Sequence, residues 1–360
     1  MSASAETVEV TTQAPRAKPQ RSRILLILGY GLALICLVWV LGHFHIVRAL
    51  HEMANADWRW VLLGMGFEVL SYGIQALRWK FLLSPFGKVR LARSIRAVYA
   101  GLFANLILPL RPGEFLRSYL LSDSEGISLG RVLGSVGVER LVDLVIATSS
   151  LAVVSLFVQL PRRFERAANI LGVVTLVLVT ILILLILYLE VRLGSSPEPH
   201  IGRRRLPGKA MAALVDLHAM GTAPSFYAAV FASVLVPACQ VLGLWAIMRS
   251  YGLEYEVDGI AYPMSFLAAV VVLLVINLGV SLPNAPANLG SYQFFCILGL
   301  GVFDINKDAA GFSFFAFLAL TILPFAFLGF AALVRSGLSL RSMREVTRLP
   351  RQAAKANAPS

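Results

Sequence analysis

The sequence predicts an all-α polytopic membrane protein with about six full spans plus two oppositely oriented Pro/Gly-broken re-entrant hairpins, arranged as an inverted repeat. Three observations carry this. Hydrophobic residues make up 58% of the 360-residue chain and charged residues only 14%, with a mean hydropathy of +0.75. No soluble core needs that much apolar sequence. The net charge of +12 is concentrated in tails and in short loops between apolar runs, as the positive-inside rule requires, and that distribution speaks against nucleic acid as a partner. Finally, two of the apolar regions are broken by Pro/Gly-rich stretches at 105–117 and 283–293.

Residues 1–22 are polar and close on Arg16, Lys18 and Arg21, a composition that reads as a disordered cytoplasmic tail. The run from Ile24 to Gly42 is too long for a signal-peptide core and is read as a retained first helix. His43, His45 and His51 follow without a carboxylate or Cys at ligand spacing, so they read as interface residues rather than a metal site. A second helix is expected from Trp58 to Leu83, with Glu68 and Gln75 inside it. Arg78, Trp79 and Lys80 near its end look like interfacial anchors, whereas Glu68 requires a partner within the bundle.

Lys88, Arg90, Arg93 and Arg96 mark the next loop as cytoplasmic. Residues 94–108 then reach roughly 22 Å as a helix, short of a hydrocarbon core of about 30 Å. The break at Pro109-Leu110-Arg111-Pro112-Gly113-Glu114 follows. Pro109 and Pro112 stop the incoming helix, Gly113 supplies a permissive turn, and a new helix starts near Glu114. Each charge in hydrocarbon costs roughly 2.5 to 3.5 kcal/mol, so the break must be packed in protein or line a wet cavity. The start of the new helix, with Arg111 and Arg117 beside Glu114, suits an anion. A return to the cytoplasmic side over 114–121 makes a re-entrant hairpin.

The next span runs from an N-cap at Ser128 to about Leu160 and carries Glu139-Arg140-Leu141-Val142-Asp143. Glu139 and Asp143 share a face, and Arg140 is placed to pair with Asp143 three residues on. The cluster is read either as neutralised structural charge or as a second wall of the cavity. Gly130 and Gly134 suit close helix packing. Ala168–Leu189 spans again, Arg192 to Lys209 form a basic internal loop, and Phe226–Met248 crosses outward to an acidic loop with Glu254, Glu256 and Asp258.

Met264–Leu282 leads into the second break, with Pro283, Asn284, Pro286, Asn288, Gly290 and Gln293, and a short apolar piece to Phe303. The last span, about Ala310–Val334, ends in a basic tail over 336–360. A cytoplasmic tail requires 264–303 to start and end outside, so it too is drawn as a hairpin. Against this, Met264–Leu282 is long enough to span alone, and Arg162, Arg163 and Arg166 fall on the outer side. Gly/Pro-interrupted segments at corresponding places in two halves point to a midplane transport site. Cys36, Cys239 and Cys296 lie in apolar stretches and read as small buried residues.

Two motifs fail on context. Gly126-Ile127-Ser128-Leu129-Gly130 has the letters of a hydrolase elbow but lacks the preceding strand. Gly202 to Lys209 is one residue too long for a phosphate loop, and Ala210 stands where a hydroxyl should hold magnesium.

The run Pro109 to Arg117, then Glu139-Arg140-Leu141-Val142-Asp143, then the Pro283–Gly290 break, in this order and spacing, resembles the flippase-like integral membrane proteins that share the transmembrane region of lysylphosphatidylglycerol synthase. The resemblance covers about 24–335. Similar proteins carry Pro-Gly-Gly-Leu-Gly followed by Glu, where this chain has Pro286-Ala287-Asn288-Leu289-Gly290 and Gln293. It implies translocation of an anionic or glycosylated membrane lipid: an aminoacylated phospholipid, a polyprenyl-phosphate-linked sugar or a hopanoid-type lipid. It implies a bacterial cytoplasmic membrane protein rather than an enzyme, since the synthases carry their aminoacyl transferase in a soluble domain and only a short basic tail follows here. Arg111, Gly113, Glu114, Arg117, Glu139, Arg140 and Asp143 are the expected headgroup site. Pro283, Asn284, Pro286, Asn288, Gly290 and Gln293 are the expected gate, and no cofactor is expected. The main competing reading is an intramembrane enzyme using Glu114 or Glu139 as general base, and the other is a structural membrane subunit.

Overall fold

A computed structural model describes residues 34–42, 46–108, 112–157, 172–181, 208–257, 260–280, 285–305 and 309–336, with a few isolated positions between. The expected contributions of Arg111, Pro283 and Asn284 lie outside these residues, as do His43, His45, Arg162, Arg163, the basic stretch 192–207, the N-terminal tail and residues 337–360. The helices are α1 (34–42), α2 (Ile46–Ala54), α3 (Trp58–Leu83), α4 (Leu91–Ile107), α5 (Gly113–Glu125) and α6 (Leu129–Ser155). They continue with α7 (Gly172–Ile181), α8 (Gly208–Thr222), α9 (Ser225–Tyr251), α10 (Phe266–Val280), α11 (Ser291–Leu300) and α12 (Ala309–Arg335). Among the described residues three helices, Trp58–Phe86, Ser225–Tyr251 and Ala309–Arg335, are long and apolar enough to cross a membrane.

The centre of the bundle is the α3–α9 pair, held close by glycine. A Cβ on Gly64 would lie 2.9 Å from the Gly243 carbonyl oxygen, and one on Gly243 would lie 3.1 Å from that of Gly64. Gly130 and Gly134 play no such part, since Gly130 faces open space and Gly134 meets only the end of Met220. The largest apolar core joins α9, α10, α11 and α12 through residues such as Leu244, Val272, Cys296 and Phe312. Cys36, Cys239 and Cys296 are free and buried, as expected.

Two antiparallel helical hairpins flank this centre. In the first, Arg93 at the start of α4 pairs with Glu125 at the end of α5, 3.2 Å apart, and the Arg90 N–H donates to the same carboxylate. Both ends of the hairpin therefore lie together. The second joins α10 to α11, with Gly279 against the Phe295 ring and Gly299 against Val272. At 1.5 Å per residue the 15 residues of α10 reach roughly 22 Å, which suits a hairpin arm better than a full crossing. The second break rests near α4, so the two tips converge.

Three local expectations change. Ser128 occupies the N-cap of α6, but its side chain makes no cap hydrogen bond and its carbonyl accepts from Arg131 and Val132. The acidic loop after α9 is an antiparallel hairpin, β1 (Glu254–Val257) paired with β2 (Ile260–Pro263). The last helix contains a π turn over Leu318–Ile322, just before Pro324. Such bulges relieve the ladder where proline offers no N–H.

Candidate functional site

The two hairpin tips and helices α3, α6, α9, α10 and α12 enclose a cavity of about 630 Å³. One end is charged, lined by Arg78, Glu114, Arg117, Arg140 and Asp143. The rest of the wall is largely apolar, lined by α10 residues including Val271, Leu274 and Leu278 and by Ala147, Leu151 and Val154 of α6, with Glu68, Gln240, Asn277 and Thr321 among its polar groups.

The charged end is built around Glu139, which is 1% exposed. Its Oε1 accepts from Gln75 Nε2 at 2.8 Å and from Arg78 Nη2, and its Oε2 accepts from Arg117 Nη2 at 3.0 Å. One carboxylate therefore ties α3 and α5 to α6. Arg78 reaches on to Asp143 Oδ1 at 2.5 Å and to the Ser233 hydroxyl at 3.2 Å. That hydroxyl sits one turn before Pro237 of α9, whose ring leaves the Ser233 carbonyl without its helical donor. Arg117 stacks over the Trp79 ring at 4.9 Å, and the indole N–H is held by Ser135 at 2.8 Å. The planar guanidinium is suited to this combination of fork and stack, and lysine is not. Nε of Arg78 and Nε of Arg117 are buried without a hydrogen-bond partner among the described residues.

Arg140 departs from its expected pairing. Its strong partner is Glu114 of α5, while Asp143 lies 3.9 Å away. The local i, i+3 rule is overridden because Asp143 is claimed by the buried Arg78. Arg78 itself is the residue that the sequence reading misplaced. It is no interfacial anchor but lies 1% exposed at the heart of the network. The signal was present: Glu68, Tyr72, Gln75 and Arg78 recur at helical spacing on one face of α3, and all four line the cavity.

Gly113 also serves differently from its expected turn. It opens α5, and a Cβ there would lie 1.9 Å from the Gly101 carbonyl oxygen and 2.6 Å from Asn105 Oδ1. Glycine is required for close approach. Its N–H donates to Asn105 Oδ1 at 2.8 Å, so one orphan donor of the new helix is satisfied from α4. Asn105→Ala should lower stability by about 1 kcal/mol, the worth of a typical cap. A thermal melt of purified protein in detergent checks this.

In the second break Pro286 begins a single turn, Gln293 is fully buried, and the Gly290 N–H donates to Gln293 Oε1 at 2.8 Å. Gln293 thus caps α11, a bond that a glutamate would make equally well. Asn288 lines the cavity with its Oδ1 unpartnered among the described residues. Ala287 and Asn288 have φ of 58° and 61°, in the left-handed region that costs a residue such as alanine roughly 1–2 kcal/mol. Ala287→Gly should therefore raise the unfolding midpoint, by the equivalent of about 1 kcal/mol.

The comparison with known proteins now bears on this geometry. The family model of the lysylphosphatidylglycerol synthase transmembrane region matches residues 26–329. The chain belongs to that family. It is also 29% identical over 131 residues to a UPF0104 membrane protein of Methanocaldococcus jannaschii, covering 36% of this chain and 38% of that one. This member of the family is an integral multi-pass membrane protein. Both hairpins and every lining residue of the cavity fall within the matched region.

Proposed function

We propose that the chain is a non-enzymatic lipid transporter of a bacterial cytoplasmic membrane, moving an anionic or glycosylated lipid between leaflets. The observation that carries this is the mixed lining of the cavity: a cluster of arginines with Glu114 and Asp143, beside a largely apolar wall of α6 and α10. A membrane lipid has the same division of chemistry. Arg117, Arg78 and Arg140 present donors to a phosphate, and the carboxylates opposite them keep the empty site near neutrality. Arg111 is proposed to join them at the tip of the first hairpin. Phospholipids, polyprenyl-phosphate-linked sugars and hopanoid-type lipids all fit this description.

In this mechanism the two hairpins are re-entrant from opposite faces, with both basic tails on the cytoplasmic side. A headgroup enters beside Glu114 and Arg140, exchanges their ion pair for its own contacts, and passes between the tips while its chains follow the apolar wall. The second break gates the outer side. The ion pair of Arg140 with Glu114 is the exposed member of the network, at 53% and 40%, and is the cheapest to open.

The test is leaflet exchange of a fluorescent phosphate-bearing lipid in reconstituted vesicles. Wild-type protein should exchange the label, and Arg117→Ala should abolish exchange while the protein still inserts. Exchange at the wild-type rate in Arg117→Ala would overturn the assignment.

A further inference from the structure

The headgroup site uses only one end of the cavity. About ten residues before Arg78 on α3, roughly 15 Å along the axis at 1.5 Å per residue, Glu68 lines the same cavity and is buried. Every other described carboxylate of the cavity wall faces an arginine: Glu114 faces Arg140, and Asp143 faces Arg78. Glu68 forms no ion pair among the described residues. The groups around it are neutral hydroxyls and thiols. Tyr72 of α3 hydrogen-bonds to its carboxyl, Tyr99 comes from α4, Cys239 from α9, and Tyr292 with its neighbour Cys296 from α11. The cavity residues of α10 and α12 nearest in kind are the uncharged Asn277 and Thr321. Tyr99 is committed elsewhere, its hydroxyl donating to the Val69 carbonyl at 3.0 Å.

We infer that Glu68 is a proton-binding site that couples this cavity to a proton gradient. A carboxylate buried without a cation is costly, and taking up one proton from water removes the charge. The resulting carboxylic acid carries both a donor and acceptors, which matches a surround of hydroxyls. When the cavity opens to water the same group gives the proton back and is hydrated. Tyr292 stands two residues beyond Gly290 of the second break, so the charge of Glu68 acts on the element proposed to gate the outer side. A group that is neutral in the sealed state and charged in the open one biases the two states differently on the two sides of a pH gradient.

The coupling role rests on the transporter reading, and the proton site does not. Two measurements separate them. Infrared difference spectra of purified protein between acidic and alkaline buffer should contain a protonated-carboxyl band that is lost in Glu68→Gln and retained, shifted, in Glu68→Asp. In vesicles carrying a fluorescent phosphate-bearing lipid, an imposed pH gradient should make the wild-type label distribution asymmetric. A protonophore should abolish that asymmetry, and Glu68→Gln should lose it. The inference is overturned if the band persists in Glu68→Gln, if that variant keeps the gradient response, or if a sodium gradient and not a pH gradient drives the asymmetry. A band that depends on Glu68 in a protein that exchanges no lipid supports the proton site and contradicts the transporter.

Discussion

Replacing Glu139 by alanine is expected to lower stability by about 3–5 kcal/mol, the cost of breaking a buried charge pair and leaving its partners behind. The reason is its position. Arg78 and Arg117 both end on this carboxylate, so its loss leaves two guanidinium groups in the interior with only Asp143 to answer them. Gln75 loses its acceptor as well. Three helices lose their common tie in one substitution. Thermal unfolding of purified protein in detergent checks the figure, and lipid exchange should vanish with it. Glu139→Gln, which keeps the shape but not the charge, should fall between alanine and wild type. A wild-type melt for Glu139→Ala would mean that the network is incidental to the bundle.

Gly113→Ala is expected to prevent the first hairpin from closing. A methyl group cannot stand 1.9 Å from the Gly101 carbonyl oxygen, and backbone on that side leaves nothing flexible to yield. Overpacking of this kind costs typically 1–3 kcal/mol where neighbours move, and here the two helices must separate, carrying Arg117 and Asn105 with them. Gly101→Ala meets the Gly113 carbonyl oxygen at 2.6 Å and should behave alike. A low yield of monodisperse protein for both variants, against a normal yield for Gly130→Ala, which faces open space, is the expected pattern. Equal yields for all three would contradict the close packing.

Three of the expected spans were legible, because hydrocarbon imposes length and composition together. The helix expected over Phe226–Met248 is found at Ser225–Tyr251, and the last one, expected at Ala310–Val334, is found at Ala309–Arg335. The breaks were legible for the same reason, since proline and charge stand out against apolar sequence. What failed was partner choice. Arg140 and Asp143 are neighbours on a helix surface, but tertiary contacts gave Asp143 to Arg78 and Arg140 to Glu114. Arg78, flanked by Trp79 and Lys80 at a helix end, has the composition of an anchor, and only the stripe it shares with Glu68 and Gln75 tells otherwise. The role of Gly113 depends on a carbonyl twelve residues away in sequence, which no local rule contains. The β hairpin was also missed, read only as an acidic loop, although Asp258-Gly259 between Glu254–Val257 and Ile260–Pro263 is a strong two-residue turn signal.

The central claim is that this cavity carries lipid across without changing it, and one measurement addresses both halves. Purified protein is reconstituted with a fluorescent phosphate-bearing lipid and, in parallel, with the same lipid lacking its headgroup. Leaflet exchange is followed and the lipid is then recovered for mass analysis. Protein-dependent exchange of the phosphate-bearing lipid, recovered at unchanged mass, is the predicted result. Recovery of a chemically altered lipid would instead make the charged end of the cavity a catalytic site and contradict the account.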